Sequence, residues 1–204
     1  MSIELIRLLT LEVMRSGIEH EAELPDLAAC IDLVEAAEVT PREPVGLPAD
    51  LREQGLAARH DARSAGRELF EVASRKDAPI EWRMAYPGHE EADMRLFNDG
   101  YRFAWLAGSG PAPLSCPDIA VAISFQAAGI HYPSHVHRAP ELYHVIAGEA
   151  SWTWGGDQVT LRPPGDWLLH PSGTRHAMTT HDEALVAFAI WTAHPDSEAV
   201  IVRN

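Results

Sequence analysis

Along residues 1–76 the apolar positions recur at helical spacing. In the run SIELIRLLTLEVMRS, Leu5, Leu8, Leu9 and Val13 fall near one face of a helix, and Ser2 stands where an N-cap belongs. Leu24, Leu27, Ile31 and Val34 continue that spacing through LPDLAACIDLVEAAE. The stretch from Thr40 to Pro48 is rich in proline and glycine and predicts a loop. A further helix is expected from Ala49 to about Ser74, broken near Gly55 or Gly66.

From about Pro79 the texture changes. YRFAWLAGSGP, IAVAISFQAAG, ELYHVIAGEASWTW, QVTLRPPGDWLLHPSG and EALVAFAIWTA are strand-length pieces separated by Gly, Pro, Asn and Asp. Short strands with such punctuation predict a β-sandwich or barrel. The chain therefore reads as mainly β, with a helical region at 1–78 packed on a β-barrel at 79–204. It contains no GxGxxG, no Walker loop and no GxSxG, so nucleotide-binding and α/β-hydrolase readings lack their motifs.

Composition narrows the picture further. The 204 residues are 46% hydrophobic and 23% charged, the usual mixture of a globular domain. No apolar run is long enough to cross a bilayer. The formal net charge of −14 is spread evenly, with −7 in each of residues 1–80 and 81–204. No basic cluster is present to neutralise phosphates, which argues against a nucleic-acid or anionic-membrane partner. Lys76 is the single lysine and lies in a polar stretch, so Schiff-base chemistry is disfavoured. Cys30 and Cys116 form no CxxC and no export signal is visible; two reduced, buried thiols and a cytoplasmic location are expected.

The candidate chemistry lies in the histidines, seven of which fall within residues 131–181. His135 and His137 are two apart, so on a strand they share a face. Glu141 and Tyr143 keep that parity across Ala139-Pro140, and His144 has the opposite parity. Farther on, the Pro171-x-Gly173 turn presents His176 at the start of another strand. An isolated His-x-His pair is common on surfaces. Here a carboxylate at the same parity, flanking glycines and a second histidine block accompany it. Three imidazoles and one carboxylate form a ligand set for a first-row transition metal.

Both blocks carry the fixed positions of the two cupin motifs. Residues 129–148 match Gly-x5-His-x-His-x3-Glu-x6-Gly throughout. Residues 165–176 match Gly-x5-Pro-x-Gly-x2-His, with Thr180 where the motif ends in Asn. The chain thus resembles the cupin superfamily. That resemblance implies a double-stranded β-helix barrel in which His135, His137, Glu141 and His176 hold one divalent metal ion, whether Fe, Zn, Mn, Co or Ni. Cupins often dimerise through sheet edges, so a homodimer is the corresponding expectation. The string HYPSHVHRAPELYHVIAGEASW further resembles the bacterial cupin-type dimethylsulfoniopropionate (DMSP) lyases, which join a helical N-terminal region to a cupin barrel. Their Tyr two residues after the metal-binding Glu corresponds to Tyr143, and a Tyr just upstream of the His-x-His pair corresponds to Tyr132.

The resemblance implies β-elimination of a small-molecule substrate, DMSP, to dimethyl sulfide and acrylate. Tyr143 is the expected base and Tyr132 a second catalytic and substrate-binding residue. The sulfonium needs aromatic faces, for which Tyr132, Trp152, Trp154, Phe125 and Trp191 are candidates. His131 and His144 are expected to be structural, His170 to lie in a loop or at an edge, and Arg138 and Arg175 to point away from the metal. The competing readings are another metal-dependent cupin enzyme acting on a small carboxylate, either an iron dioxygenase or an isomerase, and a non-catalytic binding cupin.

Overall fold

The computed structural model describes residues 2–20, 24, 26–61, 64–155 and 158–203. Its helices are α1 (Ile3–Ser16), α2 (Leu27–Ala36), α3 (Ala49–Ala57), α4 (Gly66–Ala73) and α5 (Ala92–Gly100). The first strands are β1 (Glu38–Val39), β2 (Tyr101–Gly108), β3 (Leu114–Ser115) and β4 (Ala120–Gln126). Then come β5 (His131–Val136), β6 (Glu141–Ala147), β7 (Ala150–Trp154) and β8 (Gln158–Arg162). The last are β9 (Trp167–His170), β10 (His176–Thr180), β11 (Leu185–Trp191) and β12 (Val200–Ile201). No helix among the described residues is long and apolar enough to cross a membrane. Cys30 and Cys116 are free and buried, as expected of reduced thiols.

Helix α1 begins where the sequence places it, with the Ser2 hydroxyl accepting from the Glu4 amide at 3.1 Å. Its buried stripe is Ile6, Leu9, Thr10, Val13 and Met14, whereas Leu5 and Leu8 are 37% and 57% exposed. Apolar residues cover more than half of this helix's circumference, so periodicity alone does not choose the face. Packing against α2 and α4 does. The segment expected as one broken helix is divided into α3 and α4. The chain between them is pinned to the barrel: the Arg59 carbonyl accepts from the Gly148 amide, and the Arg59 amide donates to Glu183. Helix α5 was not anticipated among the strands. Met94, Phe97 and Asn98 form its buried face, with the i, i+3, i+4 spacing of an amphipathic helix.

The strands form two sheets, the arrangement that the resemblance to the cupin superfamily implies. The seven-stranded sheet runs β1-β3-β2-β4-β11-β6-β9, and the five-stranded sheet runs β12-β5-β10-β7-β8. Helix α4 packs on β6, and α5 bridges the sheets by touching both β2 and β5. One apolar core is continuous from the helices into the barrel, including Ile6, Leu27, Phe70, Phe125, Ile146 and Phe188.

The end positions of the two histidine blocks are structural. Gly148 turns the chain from β6 to β7 at φ +74, and a Cβ there would stand 1.8 Å from the Ala184 carbonyl oxygen, so only glycine fits. Thr180 is fully buried, and its hydroxyl accepts from the Ile130 amide at 2.9 Å while reaching the Ala127 carbonyl at 2.6 Å. The threonine thereby ties down the turn between β4 and β5. Thr180→Val removes these bonds at constant shape and leaves a buried amide unpaired. We expect it to lower unfolding stability by about 1–3 kcal/mol in urea titrations while metal content stays unchanged.

His144 points out of the barrel and stacks on Trp167, with ring centres 4.6 Å apart. Burial holds its pKa down to about 4, against a hydrogen bond to the Asp166 backbone carbonyl that favours the charged ring. The native state therefore keeps His144 neutral, while the unfolded chain protonates it near pH 6.5. Its contribution is complete above pH 6.5 and is lost as the pH falls toward 4, on the order of 3 kcal/mol in all. His144→Phe is expected to flatten the fall of the melting temperature between pH 6.5 and 4, read by calorimetry.

Candidate metal centre

His135 lies on β5 and His137 just beyond its end; Glu141 opens β6 and His176 opens β10. Antiparallel pairing sets His176 directly opposite His135 across β10 and β5. Glu141 enters from the facing sheet, flanked in register by Trp191 on β11 and His170 on β9. The four side chains the sequence proposes as ligands are brought together, and all are buried. The ligand atoms of the three histidines lie within 4.8 Å of one another.

Each ring is fixed by a backbone carbonyl. His135 Nδ1 is 2.9 Å from the Pro133 oxygen, His137 Nδ1 2.8 Å from Ala139, and His176 Nδ1 2.8 Å from Thr174. A carbonyl only accepts, so each Nδ1 carries a proton and each ring turns its Nε2 toward the common centre. Glu141 Oε2 stands 3.0 Å from His137 Nε2 and 3.3 Å from His176 Nε2, the second contact lacking hydrogen-bond geometry. Its other oxygen accepts from Trp191 Nε1 at 2.8 Å.

His176 Nε2 is thus buried beside the Glu141 carboxylate with no hydrogen-bond partner among the described residues, an arrangement that a cation resolves. The residues present fit a divalent metal ion on this ground. The proton affinities agree. Burial holds His135 far below the ordinary histidine range, so its ring is neutral, as a metal ligand would need. Burial also opposes protonation of His137, but the hydrogen bond and charge of Glu141 outweigh it and raise the pKa. Burial disfavours the Glu141 anion, yet His137 and His176 hold its pKa well below the usual carboxylate value.

In front of the histidines opens a cavity of about 460 Å³. Tyr132, Tyr143 and Trp191 line it, in keeping with the sequence. Three other proposed aromatics do not. Phe125 alternates with the cavity-lining Ala122 and Ser124, so its ring leaves the barrel and stacks on Phe70 of α4 at 6.5 Å. Trp152 is inside the barrel but packs against Tyr143 at 4.8 Å and does not reach the cavity. Trp154 sits at the end of β7 beneath the Arg162 guanidinium and lines a second, smaller cavity of about 230 Å³.

His170 lies at a sheet edge, as the sequence suggests, but it faces inward. It is 1% exposed and stacks flat on His176, with ring centres 4.3 Å apart and 10° between planes. Its register opposite Glu141 turns it inward, and burial holds its pKa down to about 3. His131 meets the Thr179 hydroxyl at 2.8 Å, and Arg175 bonds the Ser134 hydroxyl. Neither lines the main cavity. Sequence reasoning missed Tyr86, Tyr101, Phe103 and Trp105, which complete the cavity wall. They precede the histidine blocks, and only the closure of the barrel brings them there.

The sequence model of the dimethylsulfoniopropionate lyase family matches residues 27–187. Dimethylsulfoniopropionate lyase DddQ of Ruegeria pomeroyi is 32% identical over 182 residues, which cover 88% of this chain and 87% of that protein. The crystal structure of DMSP lyase DddQ from Ruegeria pomeroyi DSS-3 superposes with a TM-score of 0.75 at 30% identity, covering 95% of this chain and 96% of that one. A chain from the crystal structures of DMSP lyases RdDddP and RnDddQII superposes with a TM-score of 0.73 at 19% identity, covering 97% of this chain and 100% of its own, and bears on the fold. By the extent of the sequence match, the chain belongs to the dimethylsulfoniopropionate lyase family.

Proposed function

We propose that the chain cleaves dimethylsulfoniopropionate to acrylate and dimethyl sulfide with one divalent transition-metal ion. The observation that carries this reading is the cavity's distribution of charge. His135, His137 and Glu141 line it with His176 directly behind, aromatic rings including Tyr132 and Trp191 surround them, and no lysine or arginine lines the space. A substrate carboxylate therefore has one place to find positive charge, the ion held by His135, His137, His176 and Glu141. Fe, Zn, Mn, Co and Ni all suit that donor set. When bound, such an ion neutralises the carboxylate and stabilises the negative charge that grows on it as the neighbouring proton leaves.

The chain's own residues supply the remaining steps. Tyr143 lines the cavity two residues beyond Glu141 and is the candidate base. Burial and then the Glu141 charge push its pKa far above the ordinary phenol value, so a phenolate there is strongly basic and forms only against a nearby cation. Its oxygen takes the proton next to the carboxylate, a carbon–carbon double bond forms, and the carbon–sulfur bond breaks with its electron pair going to sulfur. Dimethyl sulfide leaves neutral and needs no acid. Trp191 and Trp105 meet edge to face at 5.6 Å, and Phe103 meets Trp105 at 5.3 Å. These faces suit the sulfonium, at about 0.5–2 kcal/mol each.

Protein loaded with Fe(II), Mn(II), Co(II), Ni(II) or Zn(II) is expected to release dimethyl sulfide from the substrate without consuming oxygen. Headspace gas chromatography beside an oxygen electrode reads both, and oxygen uptake would instead indicate a dioxygenase. Tyr143→Phe should lower turnover by about 10²–10⁴-fold with metal content intact; full activity in that variant would rule out the base assignment. His176→Ala should lose bound metal by elemental analysis, and retention of one equivalent would show that the ion is held elsewhere.

A further inference from the structure

All four tyrosines of the chain, Tyr86, Tyr101, Tyr132 and Tyr143, line the one cavity. Tyr101 stacks on Phe97 at 4.7 Å, and Tyr143 packs edge to face on Trp152 at 4.8 Å. The remaining two bond each other, with their hydroxyl oxygens 3.0 Å apart. Tyr86 comes from outside the barrel, on the segment before α5. Its carbonyl accepts from the Asn98 side chain at 2.7 Å, and its ring lies 5.9 Å from Phe97, so α5 holds it in place. Tyr132 is held more tightly, stacked on His135 at 4.1 Å and against Phe97 at 4.4 Å. Neither ring is free to swing, and the remaining freedom is rotation of two O–H bonds.

Two hydroxyls that bond each other use one proton between them, and the second proton has no acceptor among the hydrogen bonds of the described residues. It is available to the cavity. A hydroxyl whose oxygen already accepts a hydrogen bond is the stronger donor. The cavity offers an anion no lysine or arginine, and the unused proton of the phenol pair is a hydrogen-bond donor for a carboxylate oxygen turned away from the metal.

We propose that Tyr86 and Tyr132 act as one hydrogen-bonding unit for the substrate's carboxylate, with Tyr86 setting the direction in which the Tyr132 hydroxyl points. Tyr86 is then a positioning residue that determines specificity for an anionic substrate. This rests on the reading that the substrate is a carboxylate.

The test is a double-mutant cycle on the metal-loaded protein, with acrylate as the probe in calorimetric titrations. Tyr86→Phe and Tyr132→Phe should each weaken acrylate about tenfold, the range of a hydrogen bond to a charged group, and the double variant should be no weaker than the poorer single. Metal content should match the parent. A merely structural disturbance by Tyr86→Phe would appear in the Tyr132→Phe background as well. Additive losses, parent affinity in Tyr86→Phe, or no acrylate binding by the parent protein each overturn the proposal. Parent protein that binds acrylate through the coupled pair but yields no dimethyl sulfide would sink the lyase reading alone.

Discussion

Three imidazoles can aim their Nε2 lone pairs at one point only if something else holds their Nδ1 protons. Here the backbone does it. Each Nδ1 meets the carbonyl of a residue two positions away, Pro133, Ala139 or Thr174. Ring tilt and tautomer therefore follow from the local course of the chain at a strand, a bend and a turn. The Nε2 atoms are thereby turned on the buried Glu141 carboxylate, which His137 meets at 3.0 Å while His176 Nε2 has no hydrogen-bond partner among the described residues. Packing of the surrounding core holds this donor set in place, where a cation would be coordinated.

The two sheets divide the task. His135 and His176 face each other within the five-stranded sheet, while Glu141 belongs to the seven-stranded sheet opposite. The site thus exists only where the barrel closes. Register places Trp191 and His170 on either side of Glu141, because directly paired residues of neighbouring strands share a face. Trp191 takes one carboxylate oxygen and leaves the other for the imidazoles. His170 lies flat against His176 and closes the centre from the side away from the main cavity.

The clustering of the four side chains was legible because their spacing is short-range: a His-x-His pair, a carboxylate at matching parity and a histidine after a Pro-x-Gly turn each specify local backbone. The aromatic wall was not, for a reason visible in β4. Every residue from Ala120 to Gln126 is buried, with helices against one face and the cavity on the other. An unbroken apolar run does not reveal which parity is interior, so Phe125 gave no sign that it faces Phe70. Trp152 shows a different limit, since alternation gives the side of a sheet but not the depth within a barrel. His170 became interior through its pairing with Glu141, a register fixed at long range. Tyr86 and α5 lie outside the motifs and reach the site only through tertiary packing.

The same placement bears on how an electrically neutral zwitterion could be oriented. A lysine or arginine in the cavity would hold a carboxylate, but its charge would also repel a sulfonium in the same small volume. Phenols hydrogen-bond an anion without carrying charge, and aromatic faces attract a cation without becoming anionic. With no lysine or arginine in the lining, a metal ion at the histidine cluster would be the strongly positive point and the rings of Trp105 and Trp191 the cation-favouring surface. The two ends of such a substrate would then be drawn to different parts of one cavity, which Tyr143 also lines.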